Sequence, residues 1–342
     1  MKTKYLSVIL VILSSNIWAQ AGELFNAEVT ENTSVTHPAK AMKAAEGQWL
    51  AFSLPVQDGT HSPCCWQGKW NGMGEAGCSL TGKHQSYGTR SDSPLAENVI
   101  VLGQVRDGKV HDLRVVGESC PVDGDGEQVT WIGSVGETAG LDWLEAQTRS
   151  DQDDQVGNSA LYALALHRSP EADQRLYSLA KETGGDLSEE AIFWLGENRG
   201  EPGFRILEQL LAELPRSDGR RAINFALAQN NTPGAAELLF DISKSDSDPE
   251  QRGEAMFWLA EAYPQQAKGW LLEVINSEKD EDVLEQAVFA ISQLPDGMGD
   301  QVLLDLAKNG QAPRAVRRQA IFWLAQSDND SSVAALTELL TR

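Results

Sequence analysis

Positive charge is scarce in this sequence of 342 residues. Lysine and arginine together number 28, against 50 aspartates and glutamates, so the formal net charge is −22 at neutral pH. Proteins bind nucleic acid and anionic membranes by neutralising phosphates with lysine and arginine. We therefore expect neither nucleic acid nor an anionic membrane as a partner.

Signatures of catalysis are also missing. The sequence contains no G-x-S-x-G, no H-E-x-x-H and no P-loop, and it has only five histidines. A literal G-x-G-x-x-G at residues 72–77 lies between cysteines, whereas a dinucleotide site places this motif between a strand and a helix. We therefore predict a non-enzymatic protein that uses no cofactor.

Long apolar runs are absent beyond the N-terminus, where about eighteen residues would be needed to span a membrane. The N-terminus has the pattern of a secretory signal. Lys2 and Lys4 precede a short apolar segment, residues 6–13, and Ala19 or Ala21 offers a small residue for cleavage. We expect residues 1–19 to be removed on export, leaving a periplasmic or secreted protein with no membrane insertion.

Cysteine is rare, and the four residues are Cys64, Cys65, Cys78 and Cys120. An even number in an exported chain favours two disulfide bonds. A bond between the adjacent Cys64 and Cys65 would strain the intervening peptide, so we expect each to pair with Cys78 or Cys120, in either arrangement. These bonds would hold together residues 58–94, a glycine-rich segment without an obvious core.

A metal site is the alternative interpretation of the same segment. His61, Cys64, Cys65, Cys78 and His84 are soft ligands within twenty-four residues of one another, a set of the kind that binds zinc or copper. Their spacing matches no standard site, and no C-x-x-C motif is present. The corresponding functional hypothesis is a periplasmic metal- or thiol-handling protein.

Residues 20–137 are predicted to form a β-rich domain of no assigned family. Four segments are predicted strands: residues 48–56, 98–105, 109–116 and 128–135. The middle two flank Arg106-Asp107-Gly108, and β-branched runs around Asp-Gly are the strongest short signal for a hairpin. Residues 22–45 are polar, and we expect them to be loosely ordered.

A repeat of about thirty-two residues begins near residue 141 and occurs six times. Each copy has a leucine-like anchor, at Leu164, Leu195, Leu227, Leu259, Ile291 and Leu324. An aromatic residue stands two positions before each anchor, at Tyr162, Phe193, Phe225, Phe257, Phe289 and Phe322. In five copies a proline then separates the anchor helix from a leucine-rich second helix. Repeats of this length predict an α-solenoid of about six helical hairpins over residues 138–342, in a mainly α protein.

The start of the repeat resembles the HEAT family, specifically the short HEAT-like repeats also found in bilin lyases. The family motif is V-R-x-x-A-x-x-A-L-G/A, and Val316-Arg317-Arg318-Gln319-Ala320 in the last copy follows it. The resemblance covers about 200 residues and implies a scaffold that binds other macromolecules. It does not imply lyase chemistry, because no residues of a bilin site can be matched in this sequence.

The residue just before the anchor alternates between small and large. In order, these residues are Ala163, Trp194, Ala226, Trp258, Ala290 and Trp323. Each tryptophan can fill the space beside a neighbouring alanine. The other interpretation is a ladder of partly exposed indoles at Trp194, Trp258 and Trp323, a residue type enriched at interface hot spots. The alternation also suggests that the array grew by duplication of a two-repeat unit.

These features favour an exported, non-enzymatic scaffold or adaptor. It would bind a protein partner through the solenoid, with a role in envelope sensing or regulation. The sequence does not specify the partner or the face of the solenoid that binds it.

Overall fold

The computed structural model describes residues 23–67, 75–82, 86–89, 92–150, 154–182, 185–214, 218–295, 297–327 and 337. The chain divides into two compact units, Met1–Ser169 and Pro170–Arg342. The predicted signal peptide, His84 and the glycine motif at residues 72–74 lie outside the described residues. The domain boundary predicted at residue 137 stays a prediction.

Eleven strands are described, all of them in the first unit. They are β1 (Glu23–Phe25), β2 (Glu28–Glu31), β3 (Trp49–Pro55), β4 (Cys64–Gln67), β5 (Glu75–Ala76), β6 (Cys78–Ser79), β7 (Ser86–Gly88), β8 (Asn98–Arg106), β9 (Lys109–Gly117), β10 (Pro121–Asp123) and β11 (Gln128–Ser134). Five of them form one sheet in the order β2-β11-β3-β8-β9. Two three-stranded sheets, β1-β10-β6 and β5-β4-β7, contain the shorter strands.

The predicted hairpin is formed by β8 and β9, which pair antiparallel from Val99 opposite Gly117 to Arg106 opposite Lys109. Asp107 and Gly108 both have positive φ, 52° and 69°. Positive φ at both central residues defines the tight turn that matches the twist of a hairpin. The Glu46 carboxylate accepts both backbone N–H groups of the turn, at 2.6 and 3.1 Å.

The expectation that residues 22–45 are loosely ordered is wrong. The strand β1 pairs parallel with β10, and β2 pairs parallel with β11. Because edge strands of a sheet offer unpaired backbone groups, a polar segment can be ordered by backbone hydrogen bonds alone. A short helix, α1 (Pro38–Ala41), follows these strands.

Both disulfide bonds lie in the core of the first unit. Cys64 is bonded to Cys120, and Cys65 to Cys78. The four residues are buried with Trp49 and other apolar side chains of the large sheet. The described part of residues 58–94 therefore shares the core of the sheet, to which the disulfides connect it.

Thirteen helices are described, and they contain more than half of the described residues. After α1, the first unit contains α2 (Glu137–Gln147) and α3 (Asp154–Leu166). The second unit contains α4 (Pro170–Ala180), α5 (Asp186–Asn198), α6 (Gly200–Glu213), α7 (Asp218–Gln229), α8 (Pro233–Ser245), α9 (Pro249–Ala262), α10 (Pro264–Ser277), α11 (Glu281–Ser292), α12 (Met298–Lys308) and α13 (Arg314–Ala325). The second helix predicted for the last repeat lies almost entirely outside the described residues.

Within the second unit the helices follow the predicted repeat. The first helices of successive repeats, α5, α7, α9, α11 and α13, contact one another in series. All six anchor side chains are completely buried. Since the helices that carry the anchors of the second unit contact one another from repeat to repeat, these repeats share a core through stacking.

Ion pairs between helices add to this stacking. The buried Arg199 guanidinium lies 2.6 Å from Asp173, and Arg252 lies 3.1 Å from Glu278. Arg220 pairs with Asp246 in the same way. Arg220 and Arg252 occupy the arginine position of the repeat motif, so the ionic contacts continue into copies whose sequence departs from that motif. Among the described helices, none is long and apolar enough to cross a bilayer.

Candidate protein-binding surface

The predicted tryptophans lie on one continuous surface of the second unit. We call this surface the aromatic ribbon; its members are Phe193, Trp194, Phe225, Phe257, Trp258, Phe289, Phe322 and Trp323. Seven of these side chains are half-buried, and Phe322 is 49% exposed. They project from the first helices of five successive repeats because the anchor beside them faces the core.

The first half of the ribbon joins α5, α7 and α9. Trp194 packs edge-on against Phe193, with ring centroids 4.8 Å apart. Phe193 stacks on Phe225 at 5.8 Å and an interplanar angle of 14°. Phe225 in turn lies 4.8 Å from the Trp258 ring at a tilt of 44°.

The second half repeats this geometry over α9, α11 and α13. Trp258 meets Phe257 edge-on at 5.0 Å, and Phe257 stacks on Phe289 at 6.1 Å and 6°. Phe289 lies 5.1 Å from Trp323 at a tilt of 42°, and Trp323 meets Phe322 edge-on. The two interpretations of the tryptophans are therefore compatible, because each indole packs against a ring yet keeps part of its surface exposed.

A groove of about 450 Å³ opens beside the first half of the ribbon. Its lining comes from three helices and consists of Asp186, Glu189, Glu190, Arg221, Ala222, Phe225 and Glu254. Four of these seven residues are acids and one is a base. Glu190 and Glu254 each lie four residues before a ribbon tryptophan, so acid and indole share one helix face. Sequence reasoning missed this acid-to-tryptophan spacing, which is visible in two of the three tryptophan repeats.

The negative charge of the groove is incompletely neutralised. Arg221 lies 3.7 Å from Glu254 and 4.0 Å from Glu250. Within the described part of the chain, no lysine or arginine forms an ion pair with Asp186, Glu189 or Glu190.

Two carboxyl groups of the groove, those of Glu190 and Glu254, have a raised pKa. Burial raises the pKa of Glu190, and the neighbouring charges of Asp186 and Glu189 raise it further. Burial also raises the pKa of Glu254, against the lowering effect of Trp258 and Arg221. The charged form of both side chains is thus disfavoured in the free protein.

The described residues of the predicted metal site are engaged in other contacts. Cys64, Cys65 and Cys78 are in disulfide bonds, and all four cysteines of the sequence belong to the described residues. The sulfurs of Cys64, Cys78 and Cys120 lie within 4.8 Å of one another because the two disulfides touch. The His61 ring donates through Nδ1 to the Ser93 carbonyl at 2.7 Å. Since the thiolate is the metal-binding form of cysteine, these sulfurs offer no thiolate ligand while both bonds are formed.

Comparisons with known proteins connect the chain to helical-repeat structures at low similarity. No family model matches the chain, and no curated protein sequence matches it. Human deoxyhypusine hydroxylase in complex with glycerol is 16% identical, with 58% of this chain and 88% of that chain covered and a TM-score of 0.25.

Two further solved structures show the same degree of likeness. The complex of CpcE and CpcF of phycocyanin lyase from Nostoc sp. PCC7120 is 14% identical over 59% of this chain and 81% of that chain, with a TM-score of 0.29. A designed armadillo repeat protein is 17% identical over 57% and 99%, with a TM-score of 0.26. These neighbours are HEAT- and armadillo-like repeat proteins, and at such scores nothing about their functions is transferred to this chain.

Proposed function

We propose that this protein is an exported, non-enzymatic scaffold or adaptor that binds a protein partner through the aromatic ribbon, in envelope sensing or regulation. The ribbon is the observation that carries the proposal. Its rings form an unbroken surface across five helices, and partly exposed tryptophan is enriched where proteins bind one another.

Three further features support the proposal. The N-terminal sequence has the pattern of a secretory signal. Two buried disulfides fit an exported protein, because such bonds persist in oxidising compartments. The excess of acidic residues argues against nucleic acid as the partner.

The experiment compares the full chain with two variants as bait in extracts of the cell envelope. The test variant is Trp258→Ala/Trp323→Ala, in the ribbon. The control is Phe240→Ala/Trp270→Ala, which removes a ring pair stacked at 4.7 Å on the second helices α8 and α10. Circular dichroism and thermal melting confirm that both variants are folded.

We expect a protein that is retained by the wild type and the control but lost with the test variant. The purified partner should then bind the wild type at least about tenfold more tightly than the test variant, since central interface tryptophans each contribute more than 1 kcal/mol. Equal retention by both variants, or no specific partner with any of the baits, would overturn the proposal.

The alternative function, metal or thiol handling, requires reduced cysteines. Among the described residues no contact favours it, since the His61 ring is hydrogen-bonded to the Ser93 carbonyl and the sulfurs are bonded to one another. Thiol titration and metal analysis of protein isolated from the periplasm separate the two functions. Free thiols together with bound zinc or copper would support the alternative.

A further inference from the structure

The groove beside Phe225 combines two features that together select a class of partner. Four acidic residues line it, Asp186, Glu189, Glu190 and Glu254, and the half-buried Phe225 lies beside them. A carboxylate attracts any cation, whereas a neighbouring apolar ring favours a cation that sheds water easily. The arginine guanidinium suits such a site because it is planar, weakly hydrated and able to bind carboxylates through two parallel hydrogen bonds.

The protein itself supplies one such cation to the groove. Arg221 projects from α7 between α5 and α9 and lies near Glu250 and Glu254. It leaves the acids on α5 without an ionic partner among the described residues. A cation entering the groove would relieve the repulsion that the half-buried Glu190 experiences from the exposed Asp186 and Glu189.

The groove is open and is formed by the first helices of three successive repeats, so an extended molecule can lie across it. Packed helices lie about 8–10 Å apart, and three of them span about 20 Å. An extended peptide of about six residues covers this distance. The overall charge of −22 would attract a cationic segment from outside contact range.

We propose that the groove formed by α5, α7 and α9 is a docking site for an arginine-containing segment of the protein partner. This inference rests on the proposed function and specifies the chemistry of the partner. Guanidinium groups bind the α5 acids beside Phe225, and the segment continues along the ribbon towards Trp258.

The test measures the binding of synthetic peptides to the full chain by fluorescence anisotropy at physiological salt. One peptide is a flexible twelve-residue chain with four arginines. The matched peptide replaces each arginine by citrulline, which keeps the shape of the side chain but removes its charge. We expect the citrulline peptide to bind at least about tenfold more weakly, as expected when close charge pairs at an interface are lost.

Two triple variants distinguish binding in the groove from attraction by the overall negative charge of the protein. Glu189→Gln/Glu190→Gln/Glu254→Gln neutralises the groove, and Glu237→Gln/Asp241→Asn/Asp305→Asn removes the same charge from exposed positions on α8 and α12. The groove variant should weaken binding of the arginine peptide about tenfold or more. The control should change the affinity by less than about twofold, because exposed charges at a distance are screened by salt.

A third variant is expected to increase, not decrease, the affinity for the arginine peptide. Arg221→Gln removes the internal cation of the groove and should strengthen binding of the arginine peptide severalfold. Absence of arginine-dependent binding, equal loss in both triple variants, or weaker binding after Arg221→Gln would each overturn the inference. If a ribbon-dependent partner is found but the arginine peptide does not bind, the proposed function stands and this inference fails.

Discussion

At the residue scale, Glu190 connects the stability of the fold with the proposed docking in the groove. Its pKa is raised above the ordinary value of 4.5 by burial first and then by Asp186 and Glu189. A carboxyl whose pKa is higher in the folded than in the unfolded state favours folding when it is protonated. This contribution is fully present below the unfolded pKa and is lost as the pH rises through the folded pKa.

We therefore predict that Glu190→Gln makes the protein more stable than the wild type at pH 7. The difference in melting temperature should shrink when the pH is lowered to about 4, because the wild-type carboxyl is then protonated too. Thermal melting at both pH values checks this prediction. The exposed Glu237→Gln serves as the control and should not show the same pH-dependent gain. A lower melting temperature of Glu190→Gln at pH 7 would contradict the assigned cause of the shift.

This residue also connects stability with function. Neutralising Glu190 should stabilise the fold but weaken the proposed docking of arginine. Binding sites commonly retain such destabilising groups because their interactions are completed by the ligand. Loss of binding with a gain of stability would distinguish a functional carboxylate from a structural one.

At the scale of the elements, the contact between α5 and α7 depends on the absence of a side chain at Gly196. This residue follows the anchor Leu195, and a Cβ atom at its position would lie 2.2 Å from the Ala226 carbonyl oxygen. The obstructing atom belongs to the backbone, so it cannot rotate away. The two helices would have to move apart to accommodate even a methyl group.

We predict that Gly196→Ala lowers the free energy of unfolding by about 1–3 kcal/mol, the usual cost of overpacking. The control is Gly269→Ala in the interior of α10, where a Cβ would meet nothing within 4 Å. That change should instead stabilise the protein by about 0.5–1 kcal/mol through helix propensity. Urea denaturation of both variants gives the comparison, and a neutral Gly196→Ala would show that the helices can separate freely.

The repeat has a further regularity, eight residues after each anchor, that the sequence analysis did not identify. Eight residues after the anchor, the side chain is small in five successive repeats: Ala172, Gly203, Ala235, Ala267 and Gly299. At Gly203 and Gly299 a Cβ would lie within 2.2 Å of the carbonyl oxygen of the anchor residue itself. The first turn of the second helix thus packs closely on the end of the first.

At the scale of the whole molecule, the disulfides secure the β-rich part of the first unit. Cys64–Cys120 links residues 56 positions apart, and Cys65–Cys78 links residues 13 apart. In the chain-entropy description these closures contribute about 4 and about 3 kcal/mol to stability. We predict that Cys64→Ser/Cys120→Ser destabilises the first unit more than Cys65→Ser/Cys78→Ser does. Urea denaturation of the two double variants tests the order, and the reverse order would show that local strain or packing outweighs loop closure.

The helical part of the fold could be predicted because the same apolar pattern recurs at a regular spacing in the sequence. The anchors are spaced by one helical hairpin, and burial of each anchor follows from that spacing. The Asp107-Gly108 hairpin is equally local. The ordering of β1 and β2 was not predictable, since it depends on backbone pairing with strands about 100 residues away.

The candidate site was predicted only in part. Trp194, Trp258 and Trp323 are visible in the sequence because they recur at the anchor. The charge of the groove is harder to find, since Glu190 and Arg221 belong to different repeats and meet only when α5 and α7 pack side by side. The pairing of the cysteines could not be predicted for the same reason, because their spacing in the sequence does not determine their distance in space.

The alternation of rings along the ribbon has a consequence for the alignment of a bound chain. Trp258 follows Trp194 by 64 residues, and stacked and tilted contacts recur with the same interval. The ion pair beside the rings recurs with the same interval, but its positive and negative residues exchange positions. Arg221 pairs with Glu254, but the corresponding residues 64 positions later are Glu285 and Arg318, which form the same bridge with its charges exchanged. The charges on α7, α9, α11 and α13 therefore run in the order positive, negative, negative, positive, and a ligand displaced by one period would meet the same rings but the opposite charge on each helix, so that one register would be favoured over the next.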